Sequence, residues 1–169
     1  MSVPKSLELP EGVTATTLQT PRGEFAAHTA FADEPVGHVL LIPGWTGSKE
    51  DFTPVLPLLA AAGFDVTTYD QRGQFETVGR PHDDYSLPGL AADAVAVRAT
   101  SGRPASHVMG HSFGGLVAQH ATTLQPDAWL SLSLLCTGPG ALGESSRRPL
   151  KKPAAAIGKV PLLDLHAAA

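Results

Sequence analysis

A glycine-flanked serine, Gly110-His111-Ser112-Phe113-Gly114, lies between a short apolar run and a helical pattern. The run Ser106 to Met109 predicts a strand, and Leu116 to Ala121 predicts a helix that Pro126 ends. The serine therefore lies in a sharp strand-to-helix turn, where a Cβ at either flanking glycine would collide across the bend. Such a turn restricts the chain to folds in which a strand passes directly into a helix.

The same turn gives Ser112 two chemical properties. It lifts the hydroxyl out of the sheet, and it places the residue at a helix N-terminus, where unpaired backbone N–H groups can receive developing negative charge. Ser112 is therefore a candidate nucleophile. The alternative is an ordinary glycine-rich turn.

Strand and helix patterns alternate along the rest of the chain. Strands are predicted at 14–20 and 24–31, as an antiparallel pair, and then at 37–42, 64–69, 106–109 and 129–136. Helices are predicted at 51–63, at 87–95 and after Ser112. Asp51 is the candidate N-cap of the first helix and Gly63 closes it, but Pro57 leaves its start open by several residues. This order predicts an α/β fold with a mainly parallel sheet, helices on both faces and active residues at the carboxyl ends of the strands.

The segment Pro43-Gly44-Trp45-Thr46-Gly47-Ser48 follows the strand at 37–42, and its glycines would let the backbone approach a ligand closely. Acyl transfer needs two donors aimed at the tetrahedral oxyanion. We expect the backbone N–H groups of Phe113 and Trp45 to supply them. The alternative is a plain turn between a strand and a helix.

The segment Asp70-Gln71-Arg72-Gly73-Gln74 follows the strand at 64–69. Asp70 is a candidate catalytic acid, but a structural role is favoured. In that role its carboxylate accepts hydrogen bonds from turn N–H groups, and Arg72 braces neighbouring loops.

Charge and composition exclude several partners. The net charge of −4 and the lack of a basic cluster beyond residues 147–152 argue against nucleic acid or an anionic membrane surface. A single cysteine, Cys136, suits a reducing compartment, and no apolar run approaches membrane-spanning length, so a cytoplasmic location is expected. The sequence has no metal-ligand cluster or phosphate loop, so neither a metal nor a cofactor is expected.

Together these motifs resemble the α/β-hydrolase superfamily, specifically its single-domain branch of esterases, lipases and related enzymes, over residues 24 to 136. Gly110 to Gly115 is similar to the nucleophile elbow of that family, Pro43 to Trp45 to its His-Gly oxyanion motif, and Tyr69 to Gly73 to its Asp-x-Arg-Gly turn. Pro43 departs from the histidine of many members, and Phe75-Glu76-Thr77 replaces the usual small residues. The resemblance implies the strand order of the family, with the first two strands antiparallel at one edge.

In this family the acid and then the base follow the serine in the chain, and the histidine comes from a loop after the last strand. Asp164 and His166 are the only late pair in that order, and the triad acid and base are otherwise not identified. His120 lies eight residues along the helix that the serine opens, about 12 Å away and out of hydrogen-bonding reach. His111 points away from such a turn, and His82 is a reserve candidate.

The sequence therefore resembles the first two-thirds of a hydrolase, cut before the strands that would deliver acid and base. Residues 1–136 are predicted to form the N-terminal part of the core with the nucleophile elbow, and residues 137–169 a loop and the start of a cap or lid. The strand at 129–136 would then be a sheet edge with unpaired backbone groups, through which self-association is expected.

The motifs and the resemblance together predict a serine hydrolase that acts on a small-molecule ester or related acyl bond through an acyl-enzyme on Ser112. Two alternatives stay open: a non-catalytic fragment or binding module, and an acyltransferase, thioesterase, C–C hydrolase or cofactor-free haloperoxidase built on the same elbow. Epoxide hydrolysis and dehalogenation are disfavoured, because members with those activities carry aspartate at the position of Ser112.

Overall fold

A computed structural model describes residues 8–138, and these residues form a six-stranded sheet in the order β1-β2-β4-β3-β5-β6. The strands are β1 (Val13–Thr20), β2 (Gly23–Ala30), β3 (Gly37–Ile42), β4 (Phe64–Tyr69), β5 (Ser106–His111) and β6 (Trp129–Leu135). β2 pairs antiparallel with β1 and β4, and the remaining neighbours are parallel. The predicted fold is confirmed, including the antiparallel first pair at one edge.

In the described part of the chain, three α-helices cover the two faces of the sheet: α1 (Leu56–Ala61), α2 (Leu87–Ala99) and α3 (Phe113–Leu124). Alternate residues of β3 point to opposite faces, so Leu40 and Ile42 pack with α2 and α3, whereas Val39 and Leu41 pack with α1. Both faces are therefore buried, as a continuous apolar strand in a parallel sheet requires. Within residues 8–138, every helix falls short of the length and apolar character of a bilayer span.

The first predicted helix is wrong in its start. Two 3₁₀ turns, Lys49–Asp51 and Thr53–Val55, precede α1, and its N-cap is Val55 rather than Asp51. A helix that began at residue 51 would carry Pro57 beyond its first turn, where proline lacks the N–H donor and its ring clashes with the preceding turn. Starting α1 at Leu56 places this proline in the first turn, where both problems vanish.

The strand bounds follow from pairing. β3 and β4 have the predicted bounds, whereas β5 is two residues longer than predicted because Gly110 and His111 pair with Leu134 and Leu135 of β6. β6 ends at Leu135, since the next residue, Cys136, has a φ of 50° and leaves the extended conformation.

Among residues 8–138, β6 pairs with β5 alone and lies at an edge of the sheet. Four of its leucines are exposed: Leu130, Leu132, Leu134 and Leu135. A parallel sheet normally carries cover on both faces, so this edge leaves apolar side chains in contact with water.

Candidate active site

Ser112 occupies the junction of β5 and α3 with a φ of 52° and a ψ of −118°. This left-handed backbone is uncommon for a residue with a side chain and persists only where its surroundings impose it. The side chain is exposed and does not cap α3, and the Ser112 N–H donates instead to the carbonyl oxygen of Leu135, at 2.9 Å. The hydroxyl is therefore presented outward at a helix N-terminus, as the motif predicts.

Close packing of three glycines imposes this conformation. A Cβ on Gly110 would meet the Cα of Gly115 at 2.6 Å, and a Cβ on Gly114 would collide with the carbonyl oxygens of Ile42 and Pro43. A Cβ on Gly115 would lie 2.7 Å from the Cβ of Thr137. Strand, elbow and helix therefore approach each other at distances that only glycine permits.

The loop after β3, residues 43–48, lies directly against this elbow. A Cβ on Gly44 would lie 3.4 Å from the Cβ of Ser112 and 3.3 Å from Nδ1 of His111. The rings of Trp45 and Phe113 are neighbours, with centroids 6.3 Å apart. The two segments that were predicted to supply the oxyanion donors are thus adjacent in space.

The two candidate donors lack partners within the part of the chain that the structure describes. Neither the Trp45 N–H nor the Phe113 N–H donates a hydrogen bond to any acceptor among residues 8–138. These two N–H groups, on adjacent segments, are therefore available as donors to a ligand.

The turn after β4, residues 70–74, contacts the carbonyl side of the loop after β3. Gln71 donates from Nε2 to the carbonyl oxygen of Pro43 at 2.9 Å. Gln74 donates from Nε2 to the carbonyl oxygens of Gly44 and Trp45 at 2.8 and 2.9 Å. Sequence reasoning missed both glutamines, because their acceptors are backbone atoms about thirty residues away and leave no mark on the side-chain pattern.

Asp70 is fully buried, and its carboxylate accepts from the backbone N–H groups of Lys49 and Glu76 at 2.8 and 3.1 Å. It also pairs with the Lys49 ammonium at 3.0 Å, which Glu50 and Glu76 contact as well. Burial alone would lower the pKa of Lys49, but its hydrogen bonds to these three carboxylates outweigh burial and raise it. With its oxygens occupied, Asp70 has the predicted structural role.

Arg72 also has the predicted bracing role. Its guanidinium binds both carboxylate oxygens of Asp93 on α2, at 2.7 and 2.8 Å, and donates to the carbonyl oxygen of Arg22 at 2.7 Å. Asp83 is a further partner at 3.3 Å. These hydrogen bonds, those to Asp93 above all, raise the pKa of Arg72.

Within residues 8–138, no histidine is hydrogen-bonded to Ser112. His28 pairs with Thr53, and His107 pairs with Ser131. His82 and His120 are exposed, the latter on α3. Asp164 and His166, the late pair in the order of the family, lie outside the described residues. The described residues also contain no group of three His, Cys, Asp or Glu side chains arranged to hold a metal ion.

The family model for the alpha/beta hydrolase fold matches residues 37–166, which include β3, the elbow and β6. The chain belongs to the α/β-hydrolase fold family. The match covers most of the chain and includes both the loop after β3 and Ser112.

The chain is also similar to three known proteins. It is 34% identical over 97 residues to the protein named "Putative carbamate hydrolase RutD" of Variovorax paradoxus, covering 57% of this chain and 36% of the relative. It is 31% identical over 122 residues to epoxide hydrolase B of Mycobacterium tuberculosis, covering 68% and 34%. The crystal structure of a hydrolase from Pseudomonas aeruginosa superposes with a TM-score of 0.76 at 24% identity, covering 91% and 57%. The chain thus spans about a third of the length of the curated relatives it matches.

Proposed function

We propose that this α/β-hydrolase chain carries the nucleophile and oxyanion site of a serine hydrolase that cleaves an ester or related acyl bond. The observation that carries the proposal is the strained, exposed Ser112, with unpaired Trp45 and Phe113 N–H groups on the adjacent segments. Strain of about 1–3 kcal/mol at one residue is maintained in folded proteins mainly at functional sites.

In the proposed reaction the Ser112 hydroxyl oxygen attacks the acyl carbon and its proton passes to a base. The carbonyl oxygen becomes an oxyanion that accepts hydrogen bonds from the Trp45 and Phe113 N–H groups. When the tetrahedral intermediate collapses, the leaving group departs with a proton and Ser112 holds the acyl group. Water then repeats the attack, which releases the acid and restores the hydroxyl. Asp164 and His166 are candidates for the acid and base, which are otherwise not identified.

The surroundings of Ser112 favour a small-molecule substrate with an apolar group. The rings of Trp45 and Phe113 lie together on the two segments that meet at Ser112, and Trp45 is 45% exposed and accessible to a ligand. The relative named as a carbamate hydrolase is compatible with this chemistry, since a carbamate is a carbonyl compound open to the same attack. The epoxide hydrolase relative fits this chemistry less well, because the family resemblance implies aspartate in the place of Ser112 for members with that activity. A cytoplasmic location is part of the proposal, supported by the single cysteine.

Labelling with a fluorophosphonate probe tests this function. We expect slow labelling in which Ser112 is the modified residue, because a neutral serine without a paired imidazole is a weak nucleophile. Imidazole added to the solution should accelerate it by acting as the base. Ser112→Ala should abolish labelling, whereas Ser133→Ala, at an exposed serine of β6, should leave it unchanged. Mass spectrometry of the digested protein identifies the modified residue.

Equal labelling of Ser112 and Ser133, with and without imidazole, would contradict the proposal. Rapid stoichiometric labelling without imidazole would instead show that the chain itself supplies a base. His166→Ala and His82→Ala would then identify it.

A further inference from the structure

The backbone of the loop after β3 is held from one side by two side-chain amides. Gln71 and Gln74 together bind the carbonyl oxygens of three successive residues, Pro43, Gly44 and Trp45. The carbonyl oxygens of three successive peptide groups are therefore hydrogen-bonded to side chains of the turn after β4. Gly44 contributes to a further hydrogen bond, from the Gly47 N–H at 3.2 Å, which closes the loop on itself.

The orientation of the Gln74 amide is settled by its own partners. Its Oε1 accepts from the Gln71 backbone N–H at 3.0 Å, a role that only the oxygen can fill. Its Nε2 must then face the loop, where both of its partners are carbonyl oxygens that can only accept.

Fixing the Gly44 carbonyl also fixes the Trp45 N–H, because the two belong to one peptide group. Residues 8–138 contain no cis peptide bond, and in a planar trans peptide the C=O and N–H point in opposite directions. A Gly44 carbonyl that is directed at Gln74 therefore turns the Trp45 N–H away from the turn after β4. The same peptide begins at Gly44, which lies against Ser112.

We propose that Gln74 is a positioning residue of the oxyanion site, which locks the Gly44–Trp45 peptide so that the Trp45 N–H is a fixed donor before substrate arrives. Gln71 holds the preceding peptide in the same way. The inference rests on the proposed function. Donors that are already oriented need no reorganisation when charge develops, which is the source of most oxyanion stabilisation.

The test measures the mobility of the loop after β3 and the reactivity of Ser112 separately. In a Trp129→Phe background, Trp45 is the sole tryptophan of the chain, and its fluorescence reports on the loop. Gln74→Met retains the side-chain length without a donor, and Gln74→Glu retains the shape but turns an acceptor toward two carbonyl oxygens. Gln125→Met and Gln125→Glu, at an exposed glutamine after α3, are the matched controls.

Both Gln74 variants should increase the nanosecond depolarisation of Trp45 in time-resolved anisotropy at submicromolar concentration, because the ring loses its fixed place beside Phe113. In the presence of imidazole, the limiting rate of fluorophosphonate labelling should fall roughly ten- to hundredfold, with the half-saturating probe concentration unchanged. The Gln125 variants should match the parent in both measurements. Circular dichroism identifies any variant that fails to fold. If Gln74→Glu does not fold, the comparison is made with Gln74→Met alone.

Unchanged Trp45 depolarisation in folded Gln74→Met would overturn the proposal. So would a labelling rate equal to that of the Gln125 controls. A third outcome is that Ser112 is not labelled in any variant, yet the Gln74 substitutions increase the mobility of Trp45. In that case Gln74 does fix the loop after β3, but the assignment of Ser112 as nucleophile is wrong.

Discussion

At the scale of single residues, the site depends on one strained serine and on glycines that force the strain. Ser112 keeps a φ of 52° because Gly110 and Gly114 bring backbone atoms too close for any other path. This part of the site could be predicted from the sequence, since motif, strand and helix are contiguous. The amides of Gln71 and Gln74 could not, because their carbonyl partners lie 28 to 30 residues away and their pairing exists only in the folded sheet.

The buried residue His38 predicts how the stability of the fold changes with pH. It is buried on β3 between the hydroxyls of Ser106 and Thr67, and burial lowers its pKa from 6.5 to about 4, with the charge of Asp65 opposing this only in part. Between pH 6.5 and pH 4 the unfolded chain therefore binds more protons than the folded one. The free energy of unfolding therefore keeps the full contribution of neutral His38 above pH 6.5, the pKa in the unfolded chain. It falls by about 3 kcal/mol in total as the pH is lowered toward 4, the pKa in the folded chain.

Urea unfolding across this pH range measures the effect. His38→Asn should show a shallower loss of unfolding free energy on acidification than the parent chain. Burial also lowers the pKa of His28, so part of the slope should remain. His120→Asn, at an exposed position of α3, is the control and should retain the full slope. Equal slopes in His38→Asn and the parent would show that His38 titrates as in the unfolded chain.

At the scale of elements, strands and helices differ in how far the sequence determines them. β3 and β4 match their predicted bounds because a glycine lies at or just before the start of each strand and proline or aspartate follows its end. The start of α1 was misplaced, because an apolar helical spacing from residue 52 onward overlaps two prolines whose backbone constraint outweighs the pattern. Side-chain periodicity thus predicts which face of a segment is buried better than it predicts where a helix begins.

One buried carboxylate adds to the apolar packing that attaches α2 to the sheet. Asp93 is 1% exposed and accepts from Arg72 and from Arg22, whose Nε lies 2.5 Å from it. Asp93→Asn retains the shape but removes the charge from between two guanidinium groups. We expect the free energy of unfolding to fall by roughly 2–4 kcal/mol, with the lower values reflecting the solvent access of Arg22.

Chemical denaturation of Asp93→Asn beside Asp127→Asn checks this. Asp127 is exposed in the Pro126–Ala128 turn, and its substitution should change stability by less than about 0.5 kcal/mol. Matching unfolding midpoints for the two variants would mean that the arginines find other partners and that α2 is attached by its apolar face alone.

At the scale of the whole molecule, β6 forms an apolar edge of the sheet within residues 8–138. Its leucines are 37% to 61% exposed, and its outer backbone groups have no strand partner among residues 8–138. Lysine and proline, the residues that commonly discourage edge pairing, do not occur in β6. We therefore propose that the 169-residue chain self-associates through this edge.

Size-exclusion chromatography over a range of concentrations, with thermal melting, tests the association. The double variant Leu130→Lys and Leu134→Lys should shift the chain toward monomer, because charges on an edge oppose pairing. Leu58→Lys, at a leucine of α1 that is 69% exposed, should not. A monodisperse parent monomer with a sharp melt would mean that residues 139–169 cover β6. Asp164 and His166 would then deserve direct substitution as site residues.

The position of β3 has a consequence for the order in which the chain can be assembled during synthesis. β3 lies between β4 and β5, yet it precedes both along the chain, and all six of its residues are buried in the finished sheet. A ribosome adds about 5–20 residues per second, so β5 is synthesised several seconds after β4. One edge of β3 can therefore pair with β4 while its other edge still lacks a partner strand. During that interval β3, which is apolar apart from His38, is exposed to other chains and to chaperones. Translation speed between Tyr69 and Ser106 should therefore influence the yield of folded protein more than translation speed after His111.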